Sequence, residues 1–416
     1  MLIRPDTSGF WEQLRKHLPP DFDLEKTARA RRAFTRARGV KDAATLLQLA
    51  MAYGGCGMSL RETCAWAAAA GIAQLKDPSL IDRLCNAAPW LGDIVATMIA
   101  KQAAVPAKRW AGYRLRALDA TTICQPGADR TTWRLHVGYD LATRQVDDIE
   151  LTDVHGGENL QRLTYRPGEI VLADRIYARA RNLRPVKQDG ADFIVRTGWS
   201  SLRFKHPDGS QLDLFATLRA QNGQQGEVRV GIDEGPNVTE PLELRLIIWR
   251  KSPEQAQAEQ NRLLKNAKKR GTKVDPRSLE AAKYVMLLTS LPVDIFPASD
   301  VLAIYRFRWQ IKLAFKRMKS LAGLDELAAK KPELAKAWIY ARLIAFLMAE
   351  RNAGEFPESP PSEPGIKPKS PANALPLAPR ENGSCRSPRQ HSWNTEMASH
   401  PRRHPANLQP LMRATA

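Results

Sequence analysis

The sequence predicts an α/β fold, with a helical N-terminal region and a largely β insertion. Short apolar runs bounded by turn-forming residues recur between residues 114 and 290, as strands do. Short helical patterns separate several of these runs, which is typical of an α/β sheet. Before residue 105, helix-capping signals and basic stretches indicate helices instead.

Residues 1–105 are predicted to form an N-terminal helical domain that binds DNA. Residues 26–41 carry seven basic side chains. Ser59 and Glu62 have the spacing of a capping box, in which two side chains satisfy free N–H groups at a helix start. Asp77 indicates the start of another helix. The two helices could form a helix-turn-helix that enters a DNA groove. The alternative is a bundle that only packs on the next domain.

A sheet is predicted to begin near residue 114. Its strands are expected at residues 115–118, 133–139, 149–154, 170–173, 191–196 and 284–290, with short helices at 158–163 and 178–183. Asp119 directly follows the first of these strands, and Asp174 follows the fourth. The order of strands and helices, with an acid at the end of two apolar strands, favours an α/β sheet.

Residues 197–285 do not continue this sheet in a simple way. They hold strand-like runs at 228–232 and 242–249, and then a charged helix that ends in several basic residues. We predict a largely β insertion subdomain here. A long basic helix follows the last strand, and Ser299 or Asp300 is its expected cap.

The long basic helix places four polar side chains on one stripe. At about 100° per residue, Arg308, Lys312 and Lys319 lie roughly 60°, 20° and 40° to one side of Tyr305. Six basic residues and no acidic residue occur from Tyr305 to Lys319. A helix without balancing acids is not an ordinary solvated face. The stripe therefore indicates a surface that binds phosphates.

The composition supports a polyanionic partner. The net charge is +19 and the pI is about 9.9, which favours nucleic acid, although a basic protein without such a partner is the alternative. The five cysteines show no paired metal-ligand spacing, as expected of a reduced, cytoplasmic protein. The first residues lack an apolar signal region. The most apolar helix, residues 335–349, is interrupted by Lys336 and Arg342, so no membrane span is expected.

Residues 353–416 are predicted to be a disordered tail rich in proline and serine. They hold 12 of the 29 prolines, with little hydrophobic periodicity, so they lack the pattern needed to pack. An out-of-frame terminus that replaces a lost helical end and an ordinary linker-like tail both explain this composition.

Asp119 and Asp174 are the candidate metal ligands. A carboxylate at a strand end is rigidly held and open to solvent, as Mg²⁺ coordination requires. Two ions about 4 Å apart can activate the attacking oxygen of a phosphodiester reaction and stabilise the leaving oxygen. The alternative is that both residues only form turns.

Taken in order, these motifs resemble the bacterial insertion-sequence transposases of the DDE type, in the group with a Tyr-x2-Arg-x3-Glu-x6-Lys signature. Asp119 and Asp174 match the first two acids of that family, and residues 153–158 look like its linking region. The signature is matched by Tyr305, Arg308 and Lys319, and its context by Trp309, Phe315, Lys316 and Ser320. The resemblance covers roughly residues 20–350.

The resemblance implies an RNase H-like catalytic core over residues 106–352. It implies Mg²⁺ as the cofactor, with Mn²⁺ as an alternative ion, and a homodimer on DNA. The expected partners are double-stranded DNA at the terminal inverted repeats of the element and at the target. Arg308 and Lys319 are expected to hold backbone phosphates, and Tyr305 to position the end of the DNA. Lys316 and Arg175 are further candidate DNA contacts.

One residue departs from the family pattern: Lys312 stands where the family has its third catalytic acid, a glutamate. On the same helix, Asp300 lies 12 residues away, roughly 18 Å along the axis. A unit charge pair at about 4 Å is worth roughly 4 kcal/mol at an effective dielectric near 20. We therefore predict impaired strand cleavage, with Lys312 paired to Asp119 or Asp174 in the place of a metal ion. A non-enzymatic DNA-binding protein derived from a transposase is the alternative function.

Two tryptophans of the insertion, Trp199 and Trp249, are candidates for stacking on an unpaired base. Core packing is the favoured explanation for both. His155 lies beside two glycines and is interpreted as a turn residue instead of a ligand.

Overall fold

The structure, a computed structural model, describes residues 13–103, 112–127, 132–232 and 242–354. The predicted domain boundary at residue 105 lies outside these ranges, and so does the predicted tail of residues 353–416, apart from its first two residues, which end a helix. Both stay predictions.

The described N-terminal region is helical from residue 13 to residue 17 and then includes α1 (Leu24–Ala30), α2 (Ala43–Ala50), α3 (Leu60–Ala69) and α4 (Asp77–Ala103). Caps explain why they start where they do. The Asp23 carboxylate accepts a hydrogen bond from the Lys26 backbone N–H, and the capping box of Ser59 and Glu62 is present as predicted. Together these caps remove several unpaired donors that a helix start would otherwise leave.

The core of this region is completed by the last helix of the fold, α11 (Pro332–Gly354), which packs on α4. Trp90 of α4 and Trp338 of α11 are both fully buried. A π-helical turn (Met51–Gly55) follows α2 and lies against α11. A Cβ atom at Gly54 would lie only 2.6 Å from the Ala341 Cβ, so glycine permits this close approach. One face of α4 is buried in this core, from Leu80 to Ile99. Whether the N-terminal helices also enter a DNA groove stays a prediction.

The sheet has nine strands in the order β3-β2-β1-β4-β5-β9-β8-β7-β6. The parallel pairs are β1 with β4 and β4 with β5, and every other neighbouring pair is antiparallel. The bounds are β1 Arg114–Ile123, β2 Trp133–Asp140, β3 Gln145–Asp153, β4 Glu169–Ala173, β5 Asp192–Thr197, β6 Phe204–Lys205, β7 Gln225–Ile232, β8 Leu244–Arg250 and β9 Tyr284–Thr289. The α/β class predicted from the sequence is therefore confirmed.

Helix α5 (Ala180–Gln188) lies between β4 and β5 in the chain, and α6 (Leu214–Arg219) lies between β6 and β7. Helices α7 (Pro253–Arg270) and α8 (Pro276–Ala281) connect β8 to β9. Short 3₁₀ turns lie at Leu160–Arg162 and Arg175–Tyr177.

The insertion, predicted as a largely β subdomain, adds its strands to the same sheet. Strand β8 pairs with β9 from Arg250 opposite Tyr284 to Arg245 opposite Thr289, and β7 continues the ladder on β8. Such pairings join segments distant in sequence, and no local pattern reveals them. The insertion therefore enlarges the sheet that carries the two aspartates.

The long basic helix is also interrupted. It forms α9 (Ala298–Arg306) and α10 (Trp309–Ser320), with Phe307 and Arg308 between them. The cap is Pro297, so the predicted caps Ser299 and Asp300 lie inside the first turn instead. Pro is suited to a helix start because it has no N–H to leave unpaired.

One edge of the sheet carries both aspartates. Leu118 of β1 lies opposite Ala173 of β4, and Asp119 and Asp174 are the next residues of these two parallel strands, so they come at the same level of the sheet. We call this edge, where β4, β5 and β8 end, the aspartate edge, and the opposite one, where β4 and β8 begin, the far edge.

A buried ion network lies near the far edge. The Arg116 guanidinium donates to both carboxylate oxygens of Asp147, at 2.7 and 2.9 Å, and to Glu169 at 2.9 Å. Arg114 donates at 2.7 Å to Asp140, Asp147 and Glu169. This network ties β1 to β3 and β4, which holds the strands that carry the aspartates.

Within the described ranges, no helix is long and apolar enough to cross a membrane. Cys56, Cys64, Cys85 and Cys124 are free thiols.

Candidate active site

Asp119 and Asp174 come from adjacent parallel strands. Asp119 is buried within β1, and its Oδ1 accepts a hydrogen bond from the Ala120 backbone N–H at 2.9 Å. Asp174 directly follows β4 and accepts from the Arg175 backbone N–H at 2.8 Å. Both carboxylates are therefore fixed by the backbone at the aspartate edge.

Arg308 bridges the two carboxylates. Its guanidinium nitrogens lie 3.8 Å from the Asp119 Oδ2 and 3.6 Å from the Asp174 Oδ2. Burial raises the pKa of Asp174, but Arg308, the Arg175 N–H, Arg196 and Lys312 together hold it below its ordinary value. Asp174 is therefore an anion at neutral pH.

Lys312 lies closest to the buried aspartate. Its Nζ is 2.8 Å from the Asp119 Oδ2, and half of the lysine side chain is exposed. That oxygen makes no hydrogen bond of regular geometry among the described residues. The contact is nevertheless an ion pair, because Coulomb attraction depends on distance more than on angle. The structure thus brings the cation to the position where the sequence predicted it.

Tyr305 lies behind the two aspartates. Its hydroxyl donates to the Ala173 carbonyl oxygen at 3.2 Å, and the Arg308 guanidinium lies 5.5 Å from the centre of its ring. Burial, above all, raises the pKa of this hydroxyl. The tyrosine therefore links α9 to the end of β4 and orients Arg308, and its predicted contact with DNA remains a prediction.

The other predicted DNA contacts are Lys316 and Lys319 on α10 and Arg175 after β4. Lys316 is exposed and Lys319 half-buried on α10, beyond Lys312. Arg175 is exposed beside Asp174 and lies over Gly198, where an added Cβ would be 2.9 Å from its Cδ. Their roles stay predictions.

Glu158 was given no role by the sequence reasoning, yet it reaches the same centre. It lies in the turn after β3, with its Oε1 3.8 Å from the Arg134 Nε. Burial raises its pKa, the charges of Asp119 and Asp174 raise it further, and Arg134 and Lys312 oppose them. Only the motif His-Gly-Gly-Glu pointed to this segment, and it did not show which strand the glutamate approaches. His155 forms a turn as predicted, since its N–H binds the Asp153 Oδ1.

Trp199 packs within the insertion, as expected. Its Nε1 donates to the Ser278 Oγ at 3.1 Å, and the Arg277 guanidinium lies 4.4 Å from its ring centre. Trp249 is half-buried on β8.

The residues present do not fit a divalent metal ion. Among the described residues, no group of three or more His, Cys, Asp or Glu side chains is arranged to hold one. The two aspartates face an ammonium and a guanidinium, which repel a further cation and occupy the carboxylate oxygens that would bind it.

His136 supports the site from β2. It lies opposite Ala120, is buried, and its Nε2 is 3.0 Å from the Thr152 Oγ1. Burial, with the nearby Arg162 and Arg134, lowers the pKa of His136 to about 4. As the pH falls, the histidine of the unfolded chain takes up a proton near pH 6.5, whereas that of the folded chain does so only near pH 4. The free energy of unfolding therefore decreases as the pH falls from about 6.5 towards 4.

Replacement of His136 by glutamine is expected to flatten this pH dependence. The parent should lose up to about 1.4 kcal/mol of unfolding free energy per pH unit from this group between those limits, and the variant should not. Urea unfolding at pH 7 and pH 5 measures the difference. The exposed His155→Gln serves as control, and an unchanged slope in His136→Gln would contradict the assignment.

Two aspartates thus lie on adjacent parallel strands of an α/β sheet, and a basic helix approaches them. The chain belongs to the family of DDE transposases: the family profile described as the transposase DDE domain matches residues 110–348. This confirms the resemblance to bacterial insertion-sequence transposases. Family membership also implies dependence on a divalent metal, which the Lys312 centre does not fit as it stands.

The chain is similar to two curated transposases and, more distantly, to one solved structure. The chain is 43% identical over 364 residues to the putative transposase InsL of insertion sequence IS186A from Escherichia coli K12, covering 86% of this chain and 98% of that protein. It is 42% identical over 365 residues to the transposase of IS421 from Escherichia coli, with the same coverage of both. The piggyBac transposase synaptic complex with hairpin DNA is similar at a TM-score of 0.41 and 10% identity, covering 84% of this chain and 77% of that one.

Proposed function

We propose that this protein is a DNA transposase of an insertion sequence that binds the ends of its element but cleaves them poorly. The observation that carries the proposal is the 2.8 Å contact between the Lys312 Nζ and the Asp119 Oδ2. Lys312 occupies the position of the third catalytic acid of the family, and its charge neutralises that of Asp119, the first acid.

The presence of lysine instead of glutamate at position 312 has a large effect on the free energy of binding a divalent cation. At about 4 Å and an effective dielectric near 20, one unit charge pair contributes roughly 4 kcal/mol, and each ~1.4 kcal/mol is tenfold in affinity. Replacing attraction by repulsion toward a divalent cation therefore weakens its binding by several orders of magnitude. Arg308 lies within 4 Å of both Asp119 and Asp174, which supports descent from an active enzyme with an RNase H-like core.

DNA binding is expected to persist. Lys316 and Arg175 are exposed around the aspartates, and the chain carries a net charge of +19. Lysine and arginine side chains bind phosphates and release counterions, so affinity does not require the metal. The proposed partners are the double-stranded terminal repeats and target DNA. A homodimer on DNA follows from the need to join two ends.

The alternative is a DNA-binding protein that occupies element ends and inhibits active copies. The Lys312–Asp119 pair favours it, whereas the retained aspartates and Arg308 favour an impaired enzyme. The two differ in residual chemistry: an impaired enzyme leaves slow cleavage that Asp119→Asn abolishes, and a binding protein leaves none.

The parent protein is expected to shift a duplex that carries its element end while giving little or no nicked product in Mg²⁺ or Mn²⁺. A gel shift and an end-cleavage assay on the same labelled duplex measure both properties, with a duplex of scrambled end sequence as control. Efficient cleavage and strand transfer by the parent would refute the impairment. Absence of any DNA binding would refute the proposed function as a whole.

A further inference from the structure

The second half of α7 and the loop after it form a cationic arm. No acidic residue occurs from residue 263 to residue 274, and the nearest acids on either side, Glu259 and Asp275, already pair with Arg262 and Arg277. The exposed cations of the arm make no ion pair with any described residue, and they are Lys265, Lys268, Lys269, Arg270 and Lys273.

Helix stability does not account for all five cations. Basic residues in the last turn interact favourably with the helix dipole, by about 0.3–1 kcal/mol each, which explains Lys268, Lys269 and Arg270. Lys265 precedes that turn and Lys273 follows the helix. In addition, Ala256 is the only buried residue of α7, so core packing does not explain the presence of the arm.

The topology places the arm at the aspartate edge. Strand β8 ends at Arg250, opposite Tyr284, so α7 leaves the sheet on the same side as Asp174. Three strand spacings separate β8 from β4, or about 14 Å at ~4.8 Å each. With 18 residues, α7 extends about 27 Å beyond its start.

Arg196 connects the arm to the aspartates. It lies near the end of β5, between β4 and β9. It interacts electrostatically with Asp174 on one side, and with Lys251 and Glu259 at the base of α7 on the other. Positive charge therefore continues from the aspartates to the start of the arm.

We propose that this arm binds the phosphate backbone of the duplex DNA whose end lies at the aspartates, up to about one helical turn away from them. Duplex DNA carries one charge per ~1.7 Å of axis and repeats every ~34 Å, which matches the reach of α7. The inference rests on the proposed function and adds a contact surface that the motifs around Asp119 and Asp174 do not include.

The test removes charge from the arm in the full-length protein. Lys265, Lys268 and Lys269 are replaced together by glutamine, and binding to a 50-base-pair duplex (about 170 Å at ~3.4 Å per pair) that carries the element end is titrated over a range of NaCl concentrations. The matched control removes three exposed cations at the far edge, by Arg144→Gln, Arg166→Gln and Arg203→Gln. A third variant keeps the charge, by replacing the three lysines with arginine.

Loss of three phosphate contacts should make the slope of log affinity against log salt shallower by about 2.7, at ~0.9 per phosphate. Affinity near 0.15 M salt should then fall roughly a hundredfold, while the arginine variant and the far-edge control stay near the parent. Circular dichroism spectra that match the parent exclude a folding defect, and the arginine variant tests the arm even if the glutamine variant is unstable.

The same shift in the arm variant and the far-edge control would overturn the inference, because only total charge would then matter. Loss of affinity in the arginine variant would also overturn it. If the parent binds this duplex normally in either case, the proposed function survives. If the parent does not bind it at all, both proposals fail.

Discussion

Replacement of Lys312 by glutamate is expected to convert a protein that nicks element ends poorly into one that nicks them efficiently in Mg²⁺. The change removes the ammonium 2.8 Å from the Asp119 Oδ2 and adds a third carboxylate beside Asp119 and Asp174. Three carboxylates supply the hard oxygen ligands that Mg²⁺ prefers. At roughly 4 kcal/mol for each unit charge pair, the expected gain is at least a thousandfold.

Two measurements test this expectation separately. End cleavage on a labelled duplex reports activity, and Mn²⁺ titration followed by electron paramagnetic resonance reports metal binding without any reaction. Lys312→Gln is the matched control, since it has the shape of glutamate but no charge, and we expect it to release Asp119 without restoring either property. Activity in the glutamine variant would show that removal of the cation is sufficient, contrary to the requirement for a third acid.

The second large effect concerns stability: Arg116→Met is expected to lower the free energy of unfolding by about 3–5 kcal/mol, the usual cost of breaking a buried ion pair from one side. Asp147 and Glu169 would then be buried with Arg114 as their remaining cation. Burial alone would lower the pKa of Arg116, but these two carboxylates hold it above its ordinary value. Urea unfolding at neutral pH measures the loss.

Arg144→Met is the control for this experiment, because Arg144 is exposed in the turn between β2 and β3. Changes at such a surface position usually stay within about 0.5 kcal/mol. Addition of Glu169→Met to the Arg116 variant should recover part of the loss, since it removes one uncompensated charge. A loss below about 1 kcal/mol in Arg116→Met would show that the network contributes little.

The sequence was sufficient to predict the two aspartates because local features decide their position. Each follows a short apolar run, and Asp174 lies at the carboxyl end of β4 as predicted. The predicted strand end at Asp119 is wrong, because β1 continues past it to Ile123 and Asp119 is buried. The ion pair of Lys312 was predicted for a similar reason, since its spacing from Tyr305 and Arg308 fixed its direction on the helix. The break at Phe307 did not disturb this, because the backbone of Phe307 and Arg308 stays in the α region.

Contacts between distant segments could not be predicted. Glu158 reaches the centre because β3 pairs with β2 and β2 pairs with β1, and neither register is visible in a local pattern. The same reason explains why the sheet neighbours of the strands in the insertion were not predicted. Their apolar runs showed that strands exist, but not that β9 would accept β8 as its neighbour. His136 looked like an ordinary strand residue until its buried surroundings were known.

The packing of α11 on α4 has a consequence for synthesis of the chain. Trp90 leaves the ribosome long before Trp338, its neighbour in the same hydrophobic core. About 250 residues separate the ends of the two helices, which corresponds to roughly 12–50 s of translation at ~5–20 residues per second. Throughout that interval the apolar face of α4 lacks the helix that covers it in the folded protein, and transiently exposed apolar surface of this kind favours collapse or aggregation.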